Sequence, residues 1–509
     1  MKKRALISVY DKTGVLDLAK SLEELDWEII STGGTFKYLQ ENGVSPINIE
    51  EVTNFPEILE GRVKTLNPYI HGGILFKRDK EEHIKTIEKL EISSIDMLVN
   101  NLYPFEDKLK ENSPHDEMIE NIDIGGPTMI RSSAKNYKDV IILIDPLDYG
   151  EIVEKLKDGD LEENIRMNLA RKAFSYTAHY DSLISNYFNR KMDIEYPEMM
   201  TIPFKLGQKL RYGENPHQSG AFYKNSFNDL KINFNQIHGK ELSYNNFNDI
   251  YETIKAIKDF EEPTVVGVKH TNPSGIGSGE TIYEAYMKAY NCDSESIFGG
   301  IIALNREVDE KCAEHMSSYF LEIIIAPSFS EEALNILTKK KNLRLIEIKE
   351  LNDFKLEKMS YKQVLGGMIY QERDEFSEEE RDIQFELMTD RKPTDSELED
   401  IKFGWRCVKS IASNGVALVK DKATIGIGQG EVRRSWAVEE AINRSFTNQE
   451  GVVLISDAFF FEDTVELAKE VGIKVLVSPG GSIKDEEVIK LCKKYDMTLL
   501  FTGLRHFRH

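Results

Sequence analysis

Short apolar runs alternate with amphipathic stretches through residues 1–150, which restricts this part of the chain to a mostly parallel sheet covered by helices. RALISV reads as the first strand. Thr13 to Leu25 then places Val15, Leu16, Ala19, Leu22 and Leu25 on one helical face. WEIIS, a helix from about Thr35 and PINIE continue the pattern, and IDMLVNNL and DVIILID supply later strands. Ligands of such sheets bind at loops beyond the carboxyl ends of the strands.

At 509 residues the chain is too long for one core. A long amphipathic segment, Glu162 to Phe188, precedes the aperiodic, proline-bearing NRKMDIEYPEMMTIPF, and this places a domain boundary near residues 192–203. The second part offers the strands TVVGVKH, GGIIALN, EIIIAP, VALVKDKATIGIG, VVLISDAFF, IKVLVSPGG and TLLFTG. GIGSGE (Gly275 to Glu280) and GIGQGE (Gly426 to Glu431) echo each other, a weak hint of two similar halves. The acidic stretch from Arg373 to Asp400 reads as a solvated helical connector.

The net charge of −22 argues against duplex nucleic acid as the main partner but leaves a small anionic substrate open, since local pockets decide that. No stretch approaches the apolar length of a membrane span, and the start MKKRALISVYDKTG has too few apolar residues for a signal-peptide core, so a soluble protein is expected. Cys292, Cys312, Cys407 and Cys492 form no C-x-x-C pair, which fits a reducing cytoplasm and gives no metal signature. His115-Asp116-Glu117 is not followed by P-C-x-x-C, so the zinc-deaminase signature is missing. H-E-x-x-H, the Walker A string and a complete dinucleotide fingerprint are missing too.

Four loops in the first part carry phosphate-type chemistry. STGGT (Ser31 to Thr35) joins a strand to a helix, where glycines and helix-start N–H groups suit an anion, though a capped tight turn explains it equally well. SVYDKTG supplies Ser8, Lys12 and Thr13; GRVKTLNP supplies Arg62, Lys64 and Thr65; DIGGPTMIRSSAKN supplies Asp123, Arg131 and Lys135. NNLYPF (Asn100 to Phe105) ends a strand with a tyrosine before a proline, and this Tyr103 is a proton donor or a core aromatic. Asp123 is a base or a cap.

In VVGVKHTNPSGIG a strand ends at Lys269-His270. Adjacent residues point to opposite faces of a strand, so the two share a site only if the strand stops there. A histidine moves protons at neutral pH, and an ammonium beside it lowers its pKa and stabilises an oxyanion. The alternative is a surface lysine next to a turn-capping histidine.

Together these loops resemble the bifunctional purine-biosynthesis family that joins AICAR transformylase to IMP cyclohydrolase. The resemblance runs from Arg4 to His509 and keeps the order of SVYDKTG, STGGT, GRVKTLNP, NLYPF, DIGGPT, AKN, LRYGENPHQ, VKHTNPSG, FGGIIALN, GIGQGEVRR, SDAFFFED and TGLRHFRH. It implies an α/β fold: a methylglyoxal-synthase-like domain over 1–197, carrying the cyclohydrolase, and a transformylase region over 198–509. The latter would have two cytidine-deaminase-like lobes without zinc, about 198–370 and 371–509. It implies a homodimer with the transformylase site at its interface, 10-formyltetrahydrofolate as co-substrate and no bound cofactor or metal. A supporting K+ ion is left open.

By the same resemblance His270 accepts a proton from the AICAR amine, Lys269 is its electrostatic partner, and Asn414 orients the pair. Arg211 and Arg505 grip the nucleotide, and Phe460, Phe461 and Asp463 meet the folate, although SDAFFFEDT departs here from the family's SDAFFPF. For the cyclohydrolase, Lys64, Tyr103, Asp123 and Lys135 are the proton-transfer and charge-stabilising set. Ser8, Lys12, Thr32, Gly33, Gly34, Thr35, Arg62, Thr65 and Asn101 hold the substrate. Two other readings compete: a single-activity enzyme with a decayed partner domain, and a nucleotide-sensing binding protein that never turns AICAR over.

Overall fold

The computed structural model describes residues 2–227, 234–377, 385–445 and 450–509. The chain divides into two compact units, Met1–Leu206 with Tyr223–Asp229, and Gly207–Phe222 with Leu230–His509.

In the first unit β1 (Arg4–Val9), β2 (Glu28–Ser31), β3 (Ile47–Asn48), β4 (Met97–Asn101) and β5 (Ile141–Leu143) form one parallel sheet in the order β3-β2-β1-β4-β5. The expected strands are all present. Their apolar runs lie in strands because both faces are covered: Ala5, Leu6, Ile7, Leu98 and Val99 are fully buried. The helix Val15–Glu24 buries Val15, Leu18, Ala19 and Leu22, and the long helix is Glu163–Lys191. Strand order reverses at β1, so a crevice opens beyond Val9, Ser31 and Asn101.

The chain passes to the second unit within a two-stranded ribbon, β6 (Phe204–Leu210) and β7 (Gly220–Asn225). There follow β8 (Asn235–His238), β9 (Thr264–Lys269), β10 (Asn272–Ser278), β11 (Ile301–Leu304), β12 (Ile323–Ala326) and β13 (Arg344–Glu347). A second ribbon, β14 (Met359–Val364) and β15 (Gly367–Glu372), comes next. The last strands are β16 (Glu386–Leu387), β17 (Val416–Lys420), β18 (Ala423–Gly428), β19 (Val453–Ser456), β20 (Val475–Ser478) and β21 (Thr498–Phe501). Apart from the ribbons they make one twelve-stranded sheet, β16-β21-β20-β19-β17-β18-β10-β9-β11-β12-β13-β8.

That order reads the same from both edges. β9 to β13 recur as β17 to β21, each half has an antiparallel outer strand, and the halves meet where β10 lies antiparallel to β18. The two glycine strings mark corresponding positions. A Cβ at Gly275 would lie 2.1 Å from Ala289 O, and one at Gly426 would lie 2.1 Å from Ala441 O. Gly277 and Gly428 meet Ala285 O and Ala437 O in the same way, at 2.7 and 1.8 Å. In both halves alternate glycines let the following helix, Ile282–Cys292 or Arg434–Arg444, lie directly on the strand.

The hairpins match as well. Lys269 pairs with Asn272 around His270 (φ 53°) and Thr271 (φ 64°), and Lys420 pairs with Ala423 around Asp421 (φ 53°) and Lys422 (φ 56°). A two-residue hairpin of this twist needs left-handed backbone at both central positions. Asp249 accepts the Thr271 amide at 2.7 Å, as Asp400 accepts that of Lys422 at 2.7 Å. Asp249 and Asp400, His270 and Asp421, and Gly275 and Gly426 are separated by one constant interval.

The stretch Arg373 to Asp400 corrects the expectation of a solvated connector. Phe376 is buried, Asp374 pairs with the His506 ring at 2.8 Å, and Glu375 pairs with Lys258. Its helix, Asp395–Val408, buries Asp400, Phe403 and Trp405. Acidity misled at these positions because Asp374, Glu375, Glu397 and Asp400 have partners within the fold; residues 378–384 lie outside the described residues.

Candidate active sites

The crevice of the first unit is a cavity of about 650 Å³. Of the residues expected to hold substrate, Ser8, Lys12, Thr32, Gly34, Thr35, Arg62, Thr65 and Asn101 line it, and Lys64, Tyr103 and Asp123 join them. Ser8 closes on Thr32, hydroxyl to hydroxyl, at 2.9 Å. Thr35 belongs more to the scaffold: its hydroxyl donates to Val9 O at 2.9 Å and accepts the Val9 amide at 3.2 Å, tying the helix Gly33–Glu41 to β1. Asn101 clamps the SVYDKTG loop, accepting the Tyr10 and Asp11 amides at 2.6 and 3.0 Å. Gly33 (φ 44°) backs the Lys64 ammonium, which a Cβ there would approach to 3.4 Å.

The cavity is lined by charges of both signs. Lys12 donates to Tyr10 O at 2.9 Å, and burial lowers its pKa. Lys64 stands 3.5 Å from Glu57. Burial raises the pKa of Asp123, while the amides of Gly126 and Tyr103 and the Lys64 charge pull it back. The DIGGPT glycines are steric necessities: a Cβ on Gly125 would lie 2.4 Å from the Thr65 hydroxyl, and one on Gly126 would lie 2.6 Å from Asp123. Tyr103 is 41% exposed, so its phenol is open to a ligand and is no core aromatic.

Lys135 is not brought to this cavity. It lies near the end of the helix Gly125–Lys135 and lines a separate, more open hollow with Arg131, Arg171 and Phe174. Sequence reasoning missed Glu57 and Glu120, which pair with Lys64 and Arg62. The only sequence signal was a glutamate just upstream of GRVK.

In the second unit Lys269 and His270 line one cavity of about 270 Å³ with Asn272, Ser274, Cys292, Asp293, Gln429 and Arg444. The strand does end at Lys269, and the left-handed turn lets neighbouring side chains share the hollow. Lys269 Nζ donates to Phe298 O at 2.9 Å. Asn414 lies outside this lining, in a buried knot where it accepts from Arg434 at 2.8 Å while Arg434 pairs with fully buried Asp457.

Arg211 and Arg505 are exposed and absent from the lining, Arg505 stacking on Phe507 at 4.1 Å. Of the three folate-side residues, Phe461 is 42% exposed and Asp463 holds Arg433 at 2.8 Å. Phe460 corrects the expectation: at 1% exposure it is a core side chain of the second half, so it presents no surface to a ligand. Among the described residues no three or more His, Cys, Asp or Glu side chains gather as a metal-binding group, and no helix is long and apolar enough to cross a membrane.

A family model described as the AICARFT/IMPCHase bienzyme matches residues 133–444, and one described as an MGS-like domain matches residues 14–128. The bifunctional purine biosynthesis protein PurH of Caldicellulosiruptor saccharolyticus is 51% identical over 517 residues, covering 100% of both chains. Its namesakes in Thermoanaerobacter sp. and Clostridioides difficile are 51% and 50% identical, over 513 and 516 residues, with the same coverage.

Proposed function

This chain belongs to the PurH family of bifunctional purine-biosynthesis enzymes, and from that premise we propose that its two cavities divide AICAR formylation from IMP ring closure. The observation that carries the proposal is the pairing of Lys269 with His270 in one hollow at a hairpin turn.

For formyl transfer, His270 takes the proton of the AICAR amine as its nitrogen attacks the formyl carbon of 10-formyltetrahydrofolate. The Lys269 ammonium offsets charge on the carbonyl oxygen, and as the tetrahedral intermediate collapses the C–N10 bond breaks and the proton held by His270 passes to N10, releasing tetrahydrofolate. Ring closure needs less, because the carboxamide nitrogen and the new formyl carbon sit on one imidazole and the site has only to hold them in reacting geometry. Lys64 and Asp123 face that reaction, one cationic and one with a raised pKa that suits proton transfer as water leaves. The hydroxyls of Ser8 and Thr32 and the N-terminus of the helix Gly33–Glu41 suit the phosphate.

A homodimer is part of this reading. Arg211 and Arg505 are exposed and stand apart from the hollow of their own chain, which supports their serving that of a second copy. A common strand order supports taking the two halves as deaminase-like lobes. Four unpaired, buried cysteines support a cytoplasmic location. The folate acts as co-substrate, and a supporting K+ ion is tested by assaying formyl transfer in potassium against choline salts.

The deciding assay supplies AICAR and 10-formyltetrahydrofolate and follows tetrahydrofolate spectrophotometrically. We expect turnover, loss of formyl transfer in His270→Ala, and continued conversion of pre-formylated nucleotide to IMP in that variant. AICAR binding without turnover would favour a nucleotide sensor instead.

A further inference from the structure

The geometry points to Arg508 as a positioning residue for formyl transfer: its guanidinium holds the Lys269–His270 turn in register with the loop that carries Asn414. This rests on the assignment of formyl transfer to that turn.

One planar group makes four attachments. It donates to Thr271 O at 2.6 Å, to the Asn272 side-chain oxygen at 3.2 Å and to Ser410 O at 2.8 Å, and it lies 3.3 Å from the Glu252 carboxylate. Asn272 donates its side-chain amide to His270 O at 3.1 Å, so the guanidinium holds the turn directly at Thr271 O and at His270 O through the Asn272 side chain. The Arg508 carbonyl accepts from Ser413 N at 3.0 Å, next to Asn414. Two residues earlier, His506 is 4% exposed, bonded to Asp374 at 2.8 Å and packed 4.5 Å from the Trp405 ring. Arg508 is thereby mounted on a fixed base.

The turn needs this support. His270 and Thr271 are left-handed residues other than glycine, and the alternative backbone conformers they prefer would swing the imidazole away. Asp249 restrains the turn from the helix side through the Thr271 amide. Arg508 restrains it through the carbonyls. A lysine carries the charge but lacks the fork that serves several acceptors at once.

The test uses the full-length chain with Arg508→Ala and Arg508→Lys, both half-reactions, and added guanidinium ion as the rescue agent. In Arg508→Ala we expect kcat for formyl transfer to fall about 10²-fold with little change in KM for AICAR, as for a small misplacement of reacting groups. Guanidinium should restore part of the rate, and Arg508→Lys should retain part of it. Cyclisation of pre-formylated nucleotide should stay at the wild-type rate, which reports a folded chain. Formyl transfer at the wild-type rate in Arg508→Ala overturns the inference, and so does a raised KM with unchanged kcat. If Arg508→Ala does not fold, a wild-type kcat in Arg508→Lys overturns it equally. His270→Ala run in parallel separates the two claims, since activity surviving there refutes the site assignment itself.

Discussion

Asp123 receives the Gly126 amide at 2.8 Å, yet burial holds its carboxyl above the ordinary range. An acid with a raised folded-state pKa costs stability at every pH where it is ionised in both states. That cost disappears as pH falls through the folded and then the unfolded pKa. Asp123→Asn should therefore melt higher than wild type at pH 7, converge with it in acid, and lose cyclisation. Melting curves across pH check the sign, and an Asn variant less stable at pH 7 refutes it. This site was largely legible in the sequence because its chemistry sits in contiguous loops whose glycines are sterically required. Lys135 was not, since a motif gives no hint of which helical face a side chain takes. Arg508 and Asp249 were invisible because they act through backbone atoms far away in sequence.

The strands were readable as apolar runs, whereas the role of the glycine strings was not. Alternate glycines in a strand resemble a phosphate loop until the helix above them is known. Gly428→Ala would push a methyl into Ala437 O and displace the helix Arg434–Arg444, costing about 1–3 kcal/mol as overpacking. Gly430, at φ 69°, has open space around it, so Gly430→Ala should cost only about 1 kcal/mol of backbone strain. Urea unfolding of the two variants distinguishes contact from conformation, and equal losses count against the packing account. Phe460 carries the same lesson: the resemblance assigned two adjacent phenylalanines to the folate side, but one of the two lies in the core.

The division into units has consequences for dissection. Phe227 packs on the first unit's core, with Arg190 stacked over it at 4.1 Å, and Ser226 N bonds Pro203 O at 2.8 Å. A fragment ending at residue 227 should therefore be more stable than one ending at 197, by about 1 kcal/mol from the partly buried ring alone, and should keep cyclisation. Thermal melts of the two fragments test this, and equal midpoints refute it. If the proposed dimer forms, mixing His270→Ala with Arg505→Ala chains should regain formyl transfer, because a hybrid rebuilds one site from two intact contributions. No recovery after confirmed subunit exchange argues that each site is built within one chain.

The matched hairpins bear on where chemistry can reside in this sheet. A sheet whose second half repeats the first, down to an aspartate receiving the turn's amide, holds two copies of one bend that present different side chains. Only one of the two turns carries an imidazole; the other carries Asp421 and Lys422. The bend is thus a feature of the sheet itself, and the chemistry proposed for it rests on a side chain that only one copy carries.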